Sequence, residues 1–431
     1  MIGMNRDDLE KLSKDELVEA YLRLQSQLQR STKTSRTSSK PPSTDRKERR
    51  ANSKPGGAQV GHKGSFRALA EQPDDVVDHR PDQCPGCGHR FAPDASGEVI
   101  GAFDSLELPP IVPVVTRHRR LACTCPGCGA RVKAAPPAGG SPFGAGIQAL
   151  ALYFKHIQHV SYQRLAAMFA DVFGLRISQG ALGNMFRRAS KAFDAAKAQI
   201  RDRLRRAEAV ASDETGVRIE GVNAQHWVFR APGLVLHEAA FSRGAQVVRD
   251  VMGGHRPGFW TSDRYSAQQG HGLRHQTCLA HLARDIAWAL EVSDDPVNLS
   301  LKLWMDDVFA LWRGLDRLAS STIARKRRDL ETRIGRILAT QSDCDVTTAL
   351  LGKIANARDQ LLTFLDAPDL VEPTNNGCER DLRPAVITRK VTNGFRSAWA
   401  AHADAALRTV VDTERLTGTG PYHAIQRTIT A

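Results

Sequence analysis

Three runs decide the fold: Val210-Ala-Ser-Asp-Glu-Thr-Gly-Val-Arg-Ile-Glu220, Ala224-Gln-His-Trp-Val-Phe-Arg230 and Leu234-Val-Leu-His-Glu-Ala-Ala-Phe241. Upstream the apolar spacing is helical; here it shifts to a strand-like period rich in β-branched and aromatic residues. The first two runs meet near Gly221-Val222-Asn223, a connection short enough to make them antiparallel neighbours. Residues 243–252 return to helical spacing, and Phe259-Trp-Thr-Ser262 is a further short strand that ends in Asp263.

Three antiparallel strands, a helix and another strand form the opening order of a ribonuclease H-like fold. That order puts Asp213 within the first strand and Asp263 at the end of the fourth, where neighbouring strands bring their tips together. Cys278-Leu-Ala-His281 opens the next helix, which continues through Arg284. Residues 294–366 are nearly all helical in pattern, with Trp304, Phe309, Trp312, Leu315 and Leu318 on a buried side, and read as an insertion. Pro373-Thr-Asn-Asn-Gly-Cys-Glu-Arg-Asp-Leu-Arg-Pro384 is a loop that becomes a helix. Thr374, Asn375 and Asn376 are cap formers, and Pro384 is expected to limit the helix. Asn376, Glu379 and Arg383 share one of its faces. Two C-terminal helices follow, over residues 398–416 and from Tyr422.

The remainder of the chain points to DNA. Its 431 residues suggest several domains, and a net charge of +13 with a pI near 9.6 favours a polyanionic partner. The excess is concentrated in residues 31–67, which include Lys47, Arg49 and Arg50 and are nearly free of aliphatic residues. Such a segment is expected to be disordered until it contacts a DNA backbone. Before it, Ser13-Lys-Asp-Glu16 is a capping box, and Leu17, Tyr21, Leu24 and Leu28 form a short seam suited to a coiled coil or to packing on the body.

Cys84-Pro-Gly-Cys87-Gly recurs as Cys125-Pro-Gly-Cys128-Gly. Two such turns supply four thiolates for one structural zinc ion, with residues 112–121 expected to form the hairpin of a zinc ribbon. Cys123, two residues away, is an alternative to Cys125. Residues 162–174 and a helix capped by Ser178 and running through Arg188 fit a helix-turn-helix, with Arg187 and Arg188 toward DNA and Leu165, Met168, Phe169 and Phe173 in the core. No stretch has the apolar length of a signal core or a membrane span, so a cytosolic protein with no membrane partner is expected.

The whole is a multidomain α+β chain. Residues 1–30 are an N-terminal helix, 31–67 a basic linker, 68–140 a zinc ribbon and 141–208 a helix-turn-helix-like region. Residues 209–293 and 367–395 form the ribonuclease H-like core, a mixed sheet flanked by helices, interrupted by the insertion at 294–366 and followed by C-terminal helices at 396–431.

Phosphodiester cleavage and transfer need a nucleophile and a leaving oxygen held in line with charge neutralised on both sides, work that two divalent ions held by three carboxylates perform. Asp213, Asp263 and Glu379 are the candidates, and Mg²⁺ or Mn²⁺ suits such an open oxygen site. Glu214 beside Asp213 falls on the opposite strand face. The motifs Ser212-Asp213-Glu-Thr-Gly216, Asp263-Arg-Tyr265, His275-Gln-Thr-Cys278-Leu-Ala-His281-Leu-Ala-Arg284 and Asn375-Asn376-Gly-Cys-Glu379-Arg380-Asp-Leu-Arg383-Pro384 resemble those of insertion sequence 66 family transposases, as does the order of parts. The resemblance implies a bacterial DDE transposase that binds its element's ends, exposes a 3′-hydroxyl and joins it to target DNA. It implies an Asp213, Asp263 and Glu379 triad holding two Mg²⁺ or Mn²⁺ ions. Its partners are double-stranded terminal repeats and target DNA, other copies of the chain on that DNA, and accessory proteins of the same element, at the nucleoid. Asn376, Arg380, Arg383 and Arg284 are its supporting or DNA-contacting residues. Ala283 departs from relatives that carry a second basic residue beside Arg284, and the Gly377-Cys378 pair is a further variation. Cys278 and His281 have zinc-ligand spacing without a second pair, which favours packing and helix capping. A non-catalytic DNA-binding regulator and a structure-specific nuclease on the same fold are the competing functions.

Overall fold

The computed structural model describes residues 13–15, 18, 57–58, 61–64, 67–135 and 142–431. The expectations for Lys47, Arg49 and Arg50, and most of those for the N-terminal helix and the linker, lie outside the described residues. Residues 67–135 are largely irregular and exposed, and their two cysteine pairs sit in matching turns. A short antiparallel pair, β1 (Ala122–Thr124) and β2 (Arg131–Lys133), flanks the second turn, and a single bridge between Gln83 and Arg90 flanks the first. The hairpin expected from residues 112–121 is not there; that run carries no strand. Pro109, Pro110 and Pro113 delete amide donors a ladder would need, and the valines there stand in solvent.

Three helices lead to the sheet: α1 (Ala145–Leu152), continued by a π-turn at Tyr153–Ile157, α2 (Tyr162–Phe173) and α3 (Gln179–Leu204). Ser161 and Ser178 cap α2 and α3 by accepting the amides of Arg164 (3.4 Å) and Ala181 (3.1 Å). The second helix does not stop near Arg188. Leu182, Met185, Phe186, Ala189, Phe193, Ile200 and Leu204 keep one buried stripe along it, and no Gly or Pro interrupts the chain after Arg188. This stripe shares a core with Trp227, Phe229 and Trp260 of the sheet.

The sheet comprises β3 (Ala209–Ile219), β4 (Val222–Ala231), β5 (Leu234–Ala240), β6 (Phe259–Ser262) and β7 (Arg274–Thr277), with α4 (Ala245–Met252) between β5 and β6. Its order is β5-β4-β3-β6-β7; the first three strands are antiparallel, and β6 and β7 join parallel. The strand β7 escaped the sequence reading because Arg-His-Gln-Thr has no apolar signal. Its buried residues are satisfied instead by hydrogen bonds: Gln276 donates to Leu361 O (3.3 Å) and accepts from Phe364 N (2.8 Å), and Thr277 donates to Gln360 (2.6 Å).

After β7 come α5 (Leu279–Val292), α6 (Pro296–Arg313), α7 (Ser320–Leu338) and α8 (Asp345–Asn356), around a second core that includes Leu301, Trp304, Leu330, Ile334, Ile354 and Phe364. Phe309, Trp312, Leu315 and Leu318 pack against it. The chain returns through α9 (Asn376–Thr392), α10 (Ala398–Arg415) and α11 (Pro421–Thr430). Pro384 lies inside α9 and does not end it. A proline there costs roughly 3 kcal/mol, and burial of Leu382 with Val228 and Val235, together with buried Thr388 bonded to His159 and Arg408, offsets that cost. Among the described residues no helix is long and apolar enough to cross a membrane.

The turn after α9 carries the chain back to the end of β3, where Phe395 N donates to Arg218 O (2.8 Å) and Glu220 N to Phe395 O (2.9 Å). Gly394 has φ +103°, and a β-carbon on it would stand 2.3 Å from Arg218 O. Gly394→Ala is therefore expected to lower unfolding free energy by about 2–3 kcal/mol, through strain plus a backbone clash. Chemical denaturation checks this; an unchanged midpoint would show the turn is not under constraint.

Candidate active site

Asp213 sits mid-strand on β3, and Asp263 follows the last residue of β6. The parallel register pairs Ala209 with Phe259, Val210 with Trp260 and Ala211 with Thr261, and each aspartate lies two residues beyond the last of these pairs. Adjacent strands lie about 4.8 Å apart. Glu379 occupies the first turn of α9, and four hydrogen bonds bring that turn to the strands. Asn375 Nδ2 donates to Ser212 O (2.8 Å), and Asn375 N donates to Cys278 Sγ (3.2 Å). Cys278 N donates to Ser262 O (2.8 Å), and Leu279 N to Pro373 O (2.9 Å). Ser212 and Ser262 are the residues just before the two aspartates, so Cys278 and Asn375 stitch all three carboxylate-bearing segments together. Asn375 spends its side chain on this bond rather than capping its own helix. Burial pushes the Cys278 thiol up, keeping it a neutral acceptor.

The Gly377-Cys378 pair follows from packing. A β-carbon on residue 377 would lie 2.9 Å from Arg230 Cδ, and the Arg230 guanidinium crosses there to reach Asp381 at 2.6 Å. Cys378 is fully buried beside Val228, Val235 and Leu382.

Asp213 is pushed up to about 8, by burial first and then by the charges of Glu214, Asp263 and Glu379, against the lowering effect of the Glu214 amide at 2.9 Å. Glu379 has Arg284 Nη2 at 3.4 Å and His281 Nε2 at 3.9 Å; burial lowers the His281 imidazole. Glu214 is held on the other strand face. Arg243 reaches its Oε1 at 2.7 Å and buried Gln268 donates to its Oε2, while Ser212 donates to the same Gln268. Asn376, Arg380 and Arg383 are exposed on α9. Arg187 is exposed on α3 with its guanidinium 4.7 Å from the centre of the Trp399 ring, and Arg188 is exposed beside it. The sequence does not single out Arg243, Gln268, Gln269 and Gln360: Arg243 and Gln360 lie in stretches that read only as helical, and Gln268 and Gln269 in a loop without a motif.

Among the described residues no three His, Cys, Asp or Glu side chains converge tightly enough to share an ion. The donor sets are nevertheless chemically apt. Asp213, Asp263 and Glu379 are hard oxygen donors. Burial, followed by the charges of Glu214, Asp263 and Glu379, raises the Asp213 carboxyl; such an environment, short of countercharge, suits Mg²⁺ or Mn²⁺. The cysteine turns are near copies. Cys84 N bonds His89 O (2.8 Å) and Gly88 N bonds Cys84 O (2.8 Å); Cys125 N bonds Ala130 O (2.8 Å) and Gly129 N bonds Cys125 O (2.9 Å). Gly88 and Gly129 have φ +73° and +74°, a left-handed geometry that glycine adopts without strain. Backbone amides aimed at the sulfurs lower the Cys84 and Cys125 thiols, as a zinc ligand requires. Each turn presents two cysteines, and Cys123 sits exposed on β1 beside the second.

Residues 140–403, well over half the chain, match the family model "Transposase IS66 family". Residues 81–129 match "zinc-finger binding domain of transposase IS66". The chain is also similar to the uncharacterized protein y4jD of Sinorhizobium fredii (strain NBRC 101917 / NGR234), with 24% identity over 386 residues covering 79% of this chain and 72% of that protein.

Proposed function

The chain belongs to the IS66 family of transposases, and from that premise we propose that it cuts and joins DNA by a DDE mechanism with Asp213, Asp263 and Glu379 as the acidic triad. The observation that carries this reading is the stitch from Ser212 through Asn375 and Cys278 to Ser262, which ties the three acidic segments together at the neighbouring interior strands β3 and β6. The strand order supports a ribonuclease H-like core over residues 209–293 and 367–395, with 294–366 as its helical insertion. When bound, two Mg²⁺ or Mn²⁺ ions would neutralise charge on the attacking and leaving oxygens.

The protein's own groups do the rest. Asp213 and Asp263 fix one wall of the site, and Glu379 is delivered opposite them with Arg284 and His281 limiting its rotamers. Asn376, Arg380 and Arg383 line the exposed side of the same helix, where they contact DNA phosphates and set the strand's register. The element end is first cut to expose a 3′-hydroxyl, which then attacks a target phosphodiester in the same site. Cys84, Cys87, Cys125 and Cys128 hold one structural zinc. Arg187, Arg188 and the basic residues Lys47, Arg49 and Arg50 add DNA contacts. Other copies of the chain, and accessory proteins of the same element, complete the assembly at the bacterial nucleoid.

The test supplies labelled element ends, a target plasmid and Mg²⁺. Glu379→Gln is expected to cut strand-transfer product by about 10²–10³-fold, the cost of losing one preorganised group at the reacting centre, with end binding retained. Cleavage without joining in the wild type would indicate a nuclease, and binding alone a regulator; either result overturns the proposal.

A further inference from the structure

Asp263 is the one triad member placed after the end of its strand, so its position depends on what grips the following loop. On one side that grip is rigid. Asp263 Oδ1 accepts the Tyr265 amide at 2.8 Å, and the Tyr265 ring lies under the Arg243 guanidinium at 4.0 Å, with Arg243 itself tied to Glu214 on β3. Ser262 Oγ donates to Asp263 O at 2.9 Å. The other side reaches into the helical segment. Gln269 Nε2 donates to Asp263 O at 3.0 Å, and Gln360 Nε2 donates to Gln269 Oε1 at 3.1 Å. Gln360 is fixed in turn by Thr277 of β7, whose hydroxyl donates to its Oε1 at 2.6 Å.

Gln360 belongs to a short 3₁₀ turn, Arg358–Gln360, that directly follows α8 and packs on β7. Its amide faces both ways at once, accepting from the sheet and donating toward the Asp263 loop. An amide with both ends engaged has one orientation, so displacement of the turn pulls on Gln269 and through it on the Asp263 carbonyl.

We propose that Gln360 and Gln269 are positioning residues through which the helical segment between β7 and α9 sets the geometry of Asp263. The inference rests on the reading of Asp263 as a metal ligand. Groups that orient a ligand from behind typically change metal affinity by about 10–100-fold when removed. The segment thereby acts as a brace on the site: its packing state determines how well the site receives a divalent ion.

Binding of Mn²⁺ to the full chain, followed by the electron paramagnetic resonance signal of the free ion, tests this with a readout independent of turnover. Gln360→Met and Gln269→Met preserve side-chain length and remove the relay. Each is expected to raise the Mn²⁺ dissociation constant by about 10-fold, and the double variant by no more than the larger single effect, because both cut one chain of bonds. Wild-type affinity in Gln360→Met overturns the proposal, as does a change confined to metal-free thermal stability. Mn²⁺ binding that survives Asp263→Asn at wild-type affinity would instead show that the triad reading itself has failed.

Discussion

Asp213→Asn is expected to abolish strand cleavage and, in the same protein, to raise the metal-free melting temperature at pH 8 to 9. The two effects have one origin. Asp213 is pushed up to about 8 by burial and by Glu214, Asp263 and Glu379, far above the ordinary carboxylate value of 3.8. A carboxyl whose folded pKa is raised stabilises the fold fully below pH 3.8, and that contribution is lost as pH rises through 8. Above pH 8 the charged, partly buried group is therefore a liability. At about 1.4 kcal/mol per pKa unit the ceiling is on the order of 5 kcal/mol, and solvent screening and relaxation reduce it to about 2–3 kcal/mol. Asparagine keeps the acceptor that the Glu214 amide uses at 2.9 Å and removes the charge. Melting curves between pH 4 and 9 without divalent ions should converge at the acid end, separate progressively above pH 4 and reach their full gap near pH 8. Saturating Mg²⁺ should narrow the gap by stabilising only the wild type, since a cation bound to the native state shifts apparent stability. Equal melting temperatures at pH 9 would mean that neither burial nor the charges of Glu214, Asp263 and Glu379 penalise the Asp213 carboxylate, and would overturn this prediction.

The parts of this architecture that could be read from the chain are those whose signal is local. Phe259-Trp-Thr-Ser262 announces itself by composition, Ser178 by its capping position, and the helical segment's core by the spacing of Trp304, Phe309 and Trp312, of which Trp304 is buried and the other two pack against the core partly buried. What escaped depends on partners remote in sequence. Strand β7 is polar because Gln276 and Thr277 are buried against residues 360–364, and no window around them contains that information. Pro384 reads as a stop on local grounds, yet tertiary burial of α9 overrides it. The triad was legible only as three motif-bearing acids. The link between the segments that carry them depends on Asn375 and Cys278, whose bonds span 163 and 97 residues. Gly377 acquired a reason only when Arg230 was found lying across it.

Zinc occupancy is where the second large effect is expected. A structural zinc site needs four ligands, and each cysteine turn offers two, so neither Cys84 and Cys87 nor Cys125 and Cys128 suffices alone. Among the described residues the two turns stand apart, and the chain between them exposes Ile100, Phe103, Leu108, Val114 and Val115 to solvent at 80% or more. One ion taken by all four thiolates closes that chain into a loop and gives those side chains something to pack on. Structural zinc contributes about 10–16 kcal/mol of apparent binding free energy at neutral pH in small zinc-dependent domains, enough to fold a segment with so little core of its own. The purified chain is therefore expected to hold one equivalent of zinc. Cys84→Ser and Cys128→Ser should each lose it and leave residues 68–135 open to proteolysis. Cys123→Ser should retain zinc and protection, because Cys123 sits on β1 outside the paired turns. Metal analysis and limited proteolysis decide the matter together. Two equivalents of zinc would mean that each turn recruits ligands elsewhere. Loss of zinc from Cys123→Ser with retention in Cys125→Ser would transfer the fourth ligand to Cys123.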